Sequence, residues 1–128
     1  MGVSRILSNI CADDLSATRD FYIDLLGLEV TYDSAWYVLL RSPTHPTLEL
    51  GIIARDHELV PAGYRHAPTG MYLTFVVDDV DATHEKAIAS EMDLIQGPVD
   101  EFYGQRRFLV RDPAGTLVDV SSPWKKKD

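Results

Sequence analysis

The sequence has a single cysteine, Cys11, so it can form neither an internal disulfide nor a metal site built from several thiolates. Its longest apolar runs, such as YLTFVV, are far shorter than the roughly 20 residues of a membrane-spanning helix. The opening residues MGVSRILSN also lack the extended apolar region of a secretory signal. These absences predict a cytoplasmic protein that does not enter a membrane.

Positive charge is also scarce. Lys and Arg number 12 against 20 Asp and Glu, which gives a formal net charge of -8, and the one basic cluster is the terminal WKKKD. Binding to nucleic acid needs a positive face, so DNA and RNA are not expected as partners. An acidic surface either keeps the protein soluble or favours a cationic ligand.

One short line of sequence occurs twice in the chain. ADDLSATRD (12–20) and VDDVDATHE (77–85) match at an offset of 65 residues, which aligns Asp14 with Asp79. Each copy follows a stretch of alternating apolar residues and opens a segment with helical spacing. Since Asp accepts hydrogen bonds from the free amides at a helix start, each copy predicts a strand followed by a helix.

The two strands before these lines have distinct faces. In RILSNICA the side chains of Leu7, Asn9 and Cys11 alternate with those of Ile6, Ser8, Ile10 and Ala12. In MYLTFVV the side chains of Tyr72, Thr74 and Val76 alternate with those of Leu73, Phe75 and Val77. Both stretches predict half-buried strands.

Each half continues with three extended segments separated by turn residues. We predict an α+β fold of two βαβββ modules within one domain, 1–128. Module one covers about 1–55, a Pro- and Gly-rich linker about 56–69, and module two about 70–123. Because one face of each sheet lacks a covering helix, we expect the two bare faces to curve around a shared cleft.

The chain resembles the vicinal oxygen chelate superfamily, the group of glyoxalase I, bleomycin-resistance proteins and extradiol dioxygenases. The resemblance is carried by ADDLSATRDFYIDLLGLEV (12–30), TLELG (47–51), VDDVDATHEKA (77–87) and YGQRRFLVRDPAGTLVDV (103–120). It implies two βαβββ modules forming a partly closed, barrel-like cleft. It also implies assembly as a homodimer.

In metal-using relatives each half supplies one ligand from its first strand and one carboxylate from its last strand. The resemblance places the first-strand positions at Leu7 and Tyr72, where those relatives commonly have His, and the carboxylates at Glu49 and Asp119. It treats these two carboxylates as equivalent positions of the two halves. With both imidazoles missing, we expect no metal cofactor; the alternative is a divalent ion held by Glu49 and Asp119.

The candidate ligand-binding residues are the first-strand position Leu7 and the aromatic and polar side chains on or beside the cleft strands. For Arg106 the register is uncertain, so Arg107 is an alternative. The set is Leu7, Asn9, Tyr37, Glu49, Tyr72, Thr74, Tyr103, Arg106 and Asp119.

The leading hypothesis is a metal-independent protein of the bleomycin-resistance type, which binds a small organic molecule between aromatic walls. Glu49 and Asp119 would attract its cationic groups. The alternative is an enzyme, a lyase, isomerase or dioxygenase of this superfamily, in which the same two carboxylates hold a cation or transfer a proton. A third hypothesis is an interaction module whose cleft is filled by side chains such as Leu7 and Tyr72.

Overall fold

The computed structural model describes residues 2–124. The chain divides into two compact units, Met1–Pro68 and Thr69–Asp128. Each unit contains one helix and one four-stranded sheet in the order βαβββ, which confirms the predicted α+β fold. Within the described residues no helix is both long and apolar enough to cross a membrane. The terminal lysines at 125–127 lie outside the described residues.

The first unit is built from β1 (Asn9–Ala12), α1 (Leu15–Leu26), β2 (Glu29–Asp33), β3 (Tyr37–Arg41) and β4 (Glu49–Ala54). Its sheet has the strand order β1-β4-β3-β2. The β1 strand pairs parallel with β4, and the other neighbours pair antiparallel.

The second unit repeats this plan with β5 (Leu73–Val76), α2 (Val80–Ala89), β6 (Asp93–Asp100), β7 (Gln105–Arg111) and β8 (Leu117–Pro123). Its strand order is β5-β8-β7-β6, with β5 parallel to β8. Each sheet ends in two edge strands and is therefore open. The cleft expected between the modules stays a prediction.

The duplicated line builds the start of each helix. The side chain of Asp14 accepts a hydrogen bond from the amide of Ala17 at 2.9 Å, and that of Asp79 accepts one from Ala82 at 3.1 Å. These bonds satisfy an amide that has no partner within the first helical turn. The α1 helix then ends at Gly27, whose φ of 67° is the left-handed conformation that glycine adopts without strain.

Each helix covers one face of its sheet, and the strands alternate accordingly. The layer between helix and sheet supplies most of the buried apolar residues: Tyr22 and Leu25 of α1 with Val38, Leu40, Leu50 and Ile52 of the sheet in the first unit, and Phe108, Val110, Val118 and Val120 of the sheet in the second. The other face of each sheet, here called the helix-free face, carries the remaining half of the alternation. Side chains on that face are not needed to pack the helix, so they are available for other roles.

Candidate functional site

Most predicted site residues lie on the helix-free faces, because side chains alternate along a strand. In the first unit Asn9, Tyr37 and Glu49 lie there. In the second unit Thr74 and Asp119 are direct neighbours on β5 and β8. The predicted alternation of both first strands is thus confirmed within the strands themselves.

A tyrosine and an amide close the helix-free face of the first unit. The Tyr37 hydroxyl donates to Asn9 Oδ1 at 2.7 Å. Both groups lie over Gly51, since a Cβ added there would collide with the Asn9 oxygen and the Tyr37 hydroxyl. Burial raises the pKa of the Tyr37 phenol above its usual value. This arrangement leaves the face without an acidic group at its centre.

Glu49 is occupied by a partner from the same unit. Arg5 Nε and Nη2 each donate to one Glu49 carboxylate oxygen at 2.6 Å, a bidentate ion pair. These hydrogen bonds hold the pKa of Glu49 below its usual value. Arg5 is absent from the predicted set, although it continues the alternation of Leu7 and Asn9. Leu7 itself precedes β1 and contributes no polar atom.

The second unit contains a concave pocket of about 480 Å³ on its helix-free face. The predicted residues Tyr72, Thr74, Tyr103 and Asp119 are brought together there. Three residues outside the predicted set, together with Arg107, the alternative to Arg106, complete the wall, which consists of Tyr72, Thr74, Val76, Tyr103, Gln105, Arg107, Asp119 and Ser121. Their alternation along β5, β7 and β8 is the signal that could have identified them.

Asp119 lies in the pocket wall and is only 4% exposed. Its Oδ2 accepts a hydrogen bond from Thr74 Oγ1 at 3.1 Å and lies 3.5 Å from Arg107 Nη1. Its Oδ1 is buried and has no hydrogen-bond partner among residues 2–124. An unsatisfied buried acceptor costs about 1–3 kcal/mol, and more when it is charged. Asp119 therefore keeps the capacity to accept a further hydrogen bond.

Arg107 lies between two carboxylates. Its Nη1 is 3.5 Å from Asp119 and its Nε is 3.5 Å from Glu101 Oε1. Within the part of the chain that the structure describes, Nε makes no hydrogen bond. Burial alone would lower the pKa of Arg107, but the charge of Asp119, together with Tyr103, Tyr72 and Glu101, raises it overall. The guanidinium thus stays positively charged, and both of its distances to carboxylate oxygens are longer than that of a charge-assisted hydrogen bond.

Arg107 lines the pocket, whereas the predicted set contains Arg106. Arg106 points to the other face of the sheet, where it donates to Asp81 of α2 at 3.1 Å and to Asp100 at 3.0 Å. Successive residues of a strand face opposite sides, so a choice one residue away reverses the face.

The predicted equivalence of Glu49 and Asp119 is wrong. The first strands match at the offset of 65, which pairs Asn9 with Thr74. Asn9 lies opposite Gly51 and Thr74 lies opposite Asp119, so Gly51 is the counterpart of Asp119. Glu49 lies two residues earlier, because TLEL and LVDV are similar in letters but differ in register.

The residues at the positions implied for a divalent metal do not fit one. Leu7 has no donor atom, and the Tyr72 phenol is a poor neutral ligand. Glu49 and Asp119 are each engaged by a guanidinium group, and a divalent ion needs several oxygen or nitrogen ligands around it, which one carboxylate alone does not supply. Among residues 2–124, no three His, Cys, Asp or Glu side chains form a group that could hold a metal ion.

Solved structures with this fold cover nearly the whole chain. A protein of unknown function from Agrobacterium tumefaciens str. C58 is 26% identical, with a TM-score of 0.76 and 95% of both chains covered. A lactoylglutathione lyase from Agrobacterium tumefaciens is also 26% identical, with a TM-score of 0.69 and coverage of 94% of this chain and 95% of that chain.

A glyoxalase/bleomycin resistance protein/dioxygenase family enzyme from Burkholderia phytofirmans PsJN is 23% identical, with a TM-score of 0.76 and coverage of 91% and 96%. No curated protein matches the sequence. The family model of the Glyoxalase/Bleomycin resistance protein/Dioxygenase superfamily matches residues 3–120, and the chain therefore belongs to that superfamily.

Proposed function

We propose that this protein binds a small organic molecule, without a metal ion, in the pocket on the helix-free face of the second unit. The observation that carries the proposal is the Asp119 carboxylate, which lines the pocket and whose buried Oδ1 lacks a hydrogen-bond partner among the described residues. Buried polar atoms in folded proteins are almost always paired, so an unpaired oxygen on a pocket-lining side chain supports a bound molecule as its partner.

The shape and composition of the pocket support this proposal. Its volume of about 480 Å³ is within the range of small-molecule sites. Tyr72 and Tyr103 are each about half exposed, and Val76 is 66% exposed, so apolar surface is available at the wall. Tyrosine rings present a flat apolar surface with a polar end, which suits an aromatic or cyclic ligand.

The residues at the implied metal positions favour binding without a metal ion. The two carboxylates that the superfamily resemblance assigned to a metal are paired with Arg5 and Arg107 in the present structure. A ligand would therefore be held by hydrogen bonds and ring contacts from the chain itself.

The test is calorimetric titration of chelator-treated protein with three probes of one shape: benzamidine, benzamide and benzoate. We expect at least one probe to bind. The Val76→Trp variant should abolish this binding, because it places a large ring in the pocket from an exposed edge-strand position. Val99→Trp is the matched control, since Val99 is exposed on the edge strand β6 and does not line the pocket.

Two outcomes would contradict the proposal. One is the absence of binding by all three probes at millimolar concentration. The other is binding that persists unchanged in Val76→Trp, which would place the probe elsewhere on the protein.

Proton-transfer catalysis by Asp119 is the second candidate function. It is favoured by the unpaired carboxylate oxygen in the pocket and by the 26% identity with a protein named lactoylglutathione lyase. If this is the activity, the protein isomerises the hemithioacetal of glutathione and a 2-oxoaldehyde to the α-hydroxy thioester by moving a proton between neighbouring carbons, and Asp119→Asn slows thioester formation by about 10²-fold or more. Asp93→Asn, at an exposed position outside the pocket, is the control. A wild-type protein that forms no thioester from such a hemithioacetal argues against this activity.

Homodimer assembly belongs to the same proposal, because it rests on the superfamily resemblance. Sedimentation velocity at micromolar concentration measures it directly. A single species with the mass of one 128-residue chain would contradict it.

A further inference from the structure

We infer that the ligand of this pocket is a small aromatic cation carrying N–H donors, and that Arg107 is the internal cation which the ligand replaces at Asp119. The inference rests on the proposed binding function. It assigns a chemical class to the ligand and a specificity-determining role to Arg107.

Asp119 can accept a further hydrogen bond at Oδ1. An ionised carboxylate only accepts hydrogen bonds. Thr74 already donates to Oδ2, while Oδ1 has no partner in the described chain. A ligand that satisfies Oδ1 must therefore supply an N–H or O–H group. Ammonium, amidinium and guanidinium groups offer several such donors at once.

The charged side chains around Asp119 carry a net negative charge. Glu101, Arg107 and Asp119 form a chain of three charges in which the cation lies 3.5 Å from each carboxylate. Their sum is one negative charge. A cationic ligand neutralises this excess, whereas an anionic ligand adds a further negative charge to a partly buried site.

Arg107 is held only loosely by its two carboxylate partners. At 3.5 Å both of its carboxylate contacts are longer than charge-assisted hydrogen bonds, which are usually about 2.7–2.9 Å. Arg5 shows the contrasting case in the first unit, with two 2.6 Å bonds to Glu49. Since Glu101 offers Arg107 a second partner, the guanidinium can shift toward Glu101 when another cation reaches Asp119.

Two tyrosine rings in the pocket wall favour a ligand with an aromatic part. Tyr72 and Tyr103 line the same pocket as Asp119 and are half exposed. Their ring faces attract cations and stack with flat rings. A planar aromatic cation therefore matches the pocket wall better than an aliphatic one of the same charge.

The experiment compares benzamidine, benzamide and benzoate by calorimetry in wild-type protein and in charge variants. We expect benzamidine to bind at least about tenfold more tightly than either analogue, because hydrogen bonds between charged groups are stronger than those with a neutral partner. Asp119→Asn should remove this preference. Arg107→Gln should tighten benzamidine binding several-fold, because the internal competitor is gone.

A matched control pair lies on neighbouring strands of the same unit. Arg111 Nη1 and Asp93 Oδ2 form an exposed ion pair at 3.1 Å outside the pocket. Arg111→Gln and Asp93→Asn should leave the affinity for benzamidine unchanged within about twofold.

Glu101→Gln is the converse test and serves if circular dichroism shows that Arg107→Gln does not fold. Without Glu101, Arg107 has only Asp119 as a partner, so benzamidine binding should weaken several-fold. Unchanged or tighter binding in Glu101→Gln would contradict the role of Arg107.

The remaining outcomes separate the inference from the proposed function. Binding of benzoate that is tighter than benzamidine binding and is lost in Arg107→Gln would overturn the cation class and make the pocket an anion site. Equal binding of benzamide would also overturn the class while the binding function stands. No binding of any probe would remove the proposed function itself.

Discussion

The two units share their order of elements and their helix caps, but their helix-free faces carry different chemistry. In the first unit Tyr37 and Asn9 lie over Gly51, and in the second unit Asp119 occupies the position that corresponds to Gly51. The helix-covered faces of both sheets remain apolar. Alternation along a strand thus separates the residues that hold the fold from those that can carry function, and the two units agree on the first set and differ on the second.

Tyr37 and Arg107 are also equivalent positions of the two units. Tyr37 lies opposite Ile53 in the first unit, as Arg107 lies opposite Ser121 in the second. A neutral ring therefore stands where the second unit has its partly buried cation. By register, the charged pair Arg107–Asp119 corresponds to Tyr37 and Gly51 of the first unit, where Tyr37 instead donates to Asn9.

The largest effect is expected for Gly51→Ala. The added Cβ would collide with Asn9 Oδ1 and the Tyr37 hydroxyl and break their hydrogen bond. We expect a loss of about 1–3 kcal/mol in the free energy of unfolding, measured by urea denaturation. Gly97→Ala is the control, since no atom lies within 4 Å of a Cβ at Gly97. Equal stability of the two variants would show that Gly51 is not closely covered.

A smaller and equal effect is expected at the two helix starts. Asp14→Ala and Asp79→Ala each remove the acceptor of an N-terminal amide hydrogen bond. Each should lower the free energy of unfolding by about 1 kcal/mol. Asp78→Ala, at an exposed position beside the second cap, should change it by less than about 0.5 kcal/mol. A marked difference between the two cap variants would argue against equivalent roles.

The smallest effect concerns the acid side of the stability curve. Arg5 lowers the pKa of Glu49 in the folded protein. The stabilisation from this pair is therefore fully present above the ordinary pKa of about 4.5 and is lost as the pH falls through the lowered value. Glu49→Gln should flatten this part of the curve in urea unfolding at a series of pH values. High salt should reduce the effect in wild-type protein.

An acid limb that is the same in Glu49→Gln and in wild-type protein would contradict this assignment. It would show that Arg5 and Glu49 do not form their ion pair in solution. The first unit would then offer a free carboxylate on its helix-free face, and the contrast between the units would weaken.

The sequence was sufficient for the features that depend on nearby residues. Asp14 and Asp79 cap helices because the acceptor and the amide are three residues apart, a distance that the sequence displays directly. The faces of MYLTFVV follow from alternation, which places Tyr72 and Thr74 on the pocket side and Leu73 on the other.

The sequence was insufficient where strand register decides. The offset between the halves is 65 residues at Asn9 and Thr74 but 68 at Gly51 and Asp119, because the intervening segments differ in length. Register depends on hydrogen bonds between distant strands, which similarity of short motifs does not report. For the same reason the choice between Arg106 and Arg107 needed the structure.

Gly51 also limits how the two halves could become alike again. A carboxylate introduced at this position has no room while Asn9 and Tyr37 keep their present side chains. A second acidic centre in the first unit would therefore need changes at Asn9 and Tyr37 as well as at Gly51. Binding chemistry that depends on a central carboxylate is thus confined to the second unit as the chain now stands.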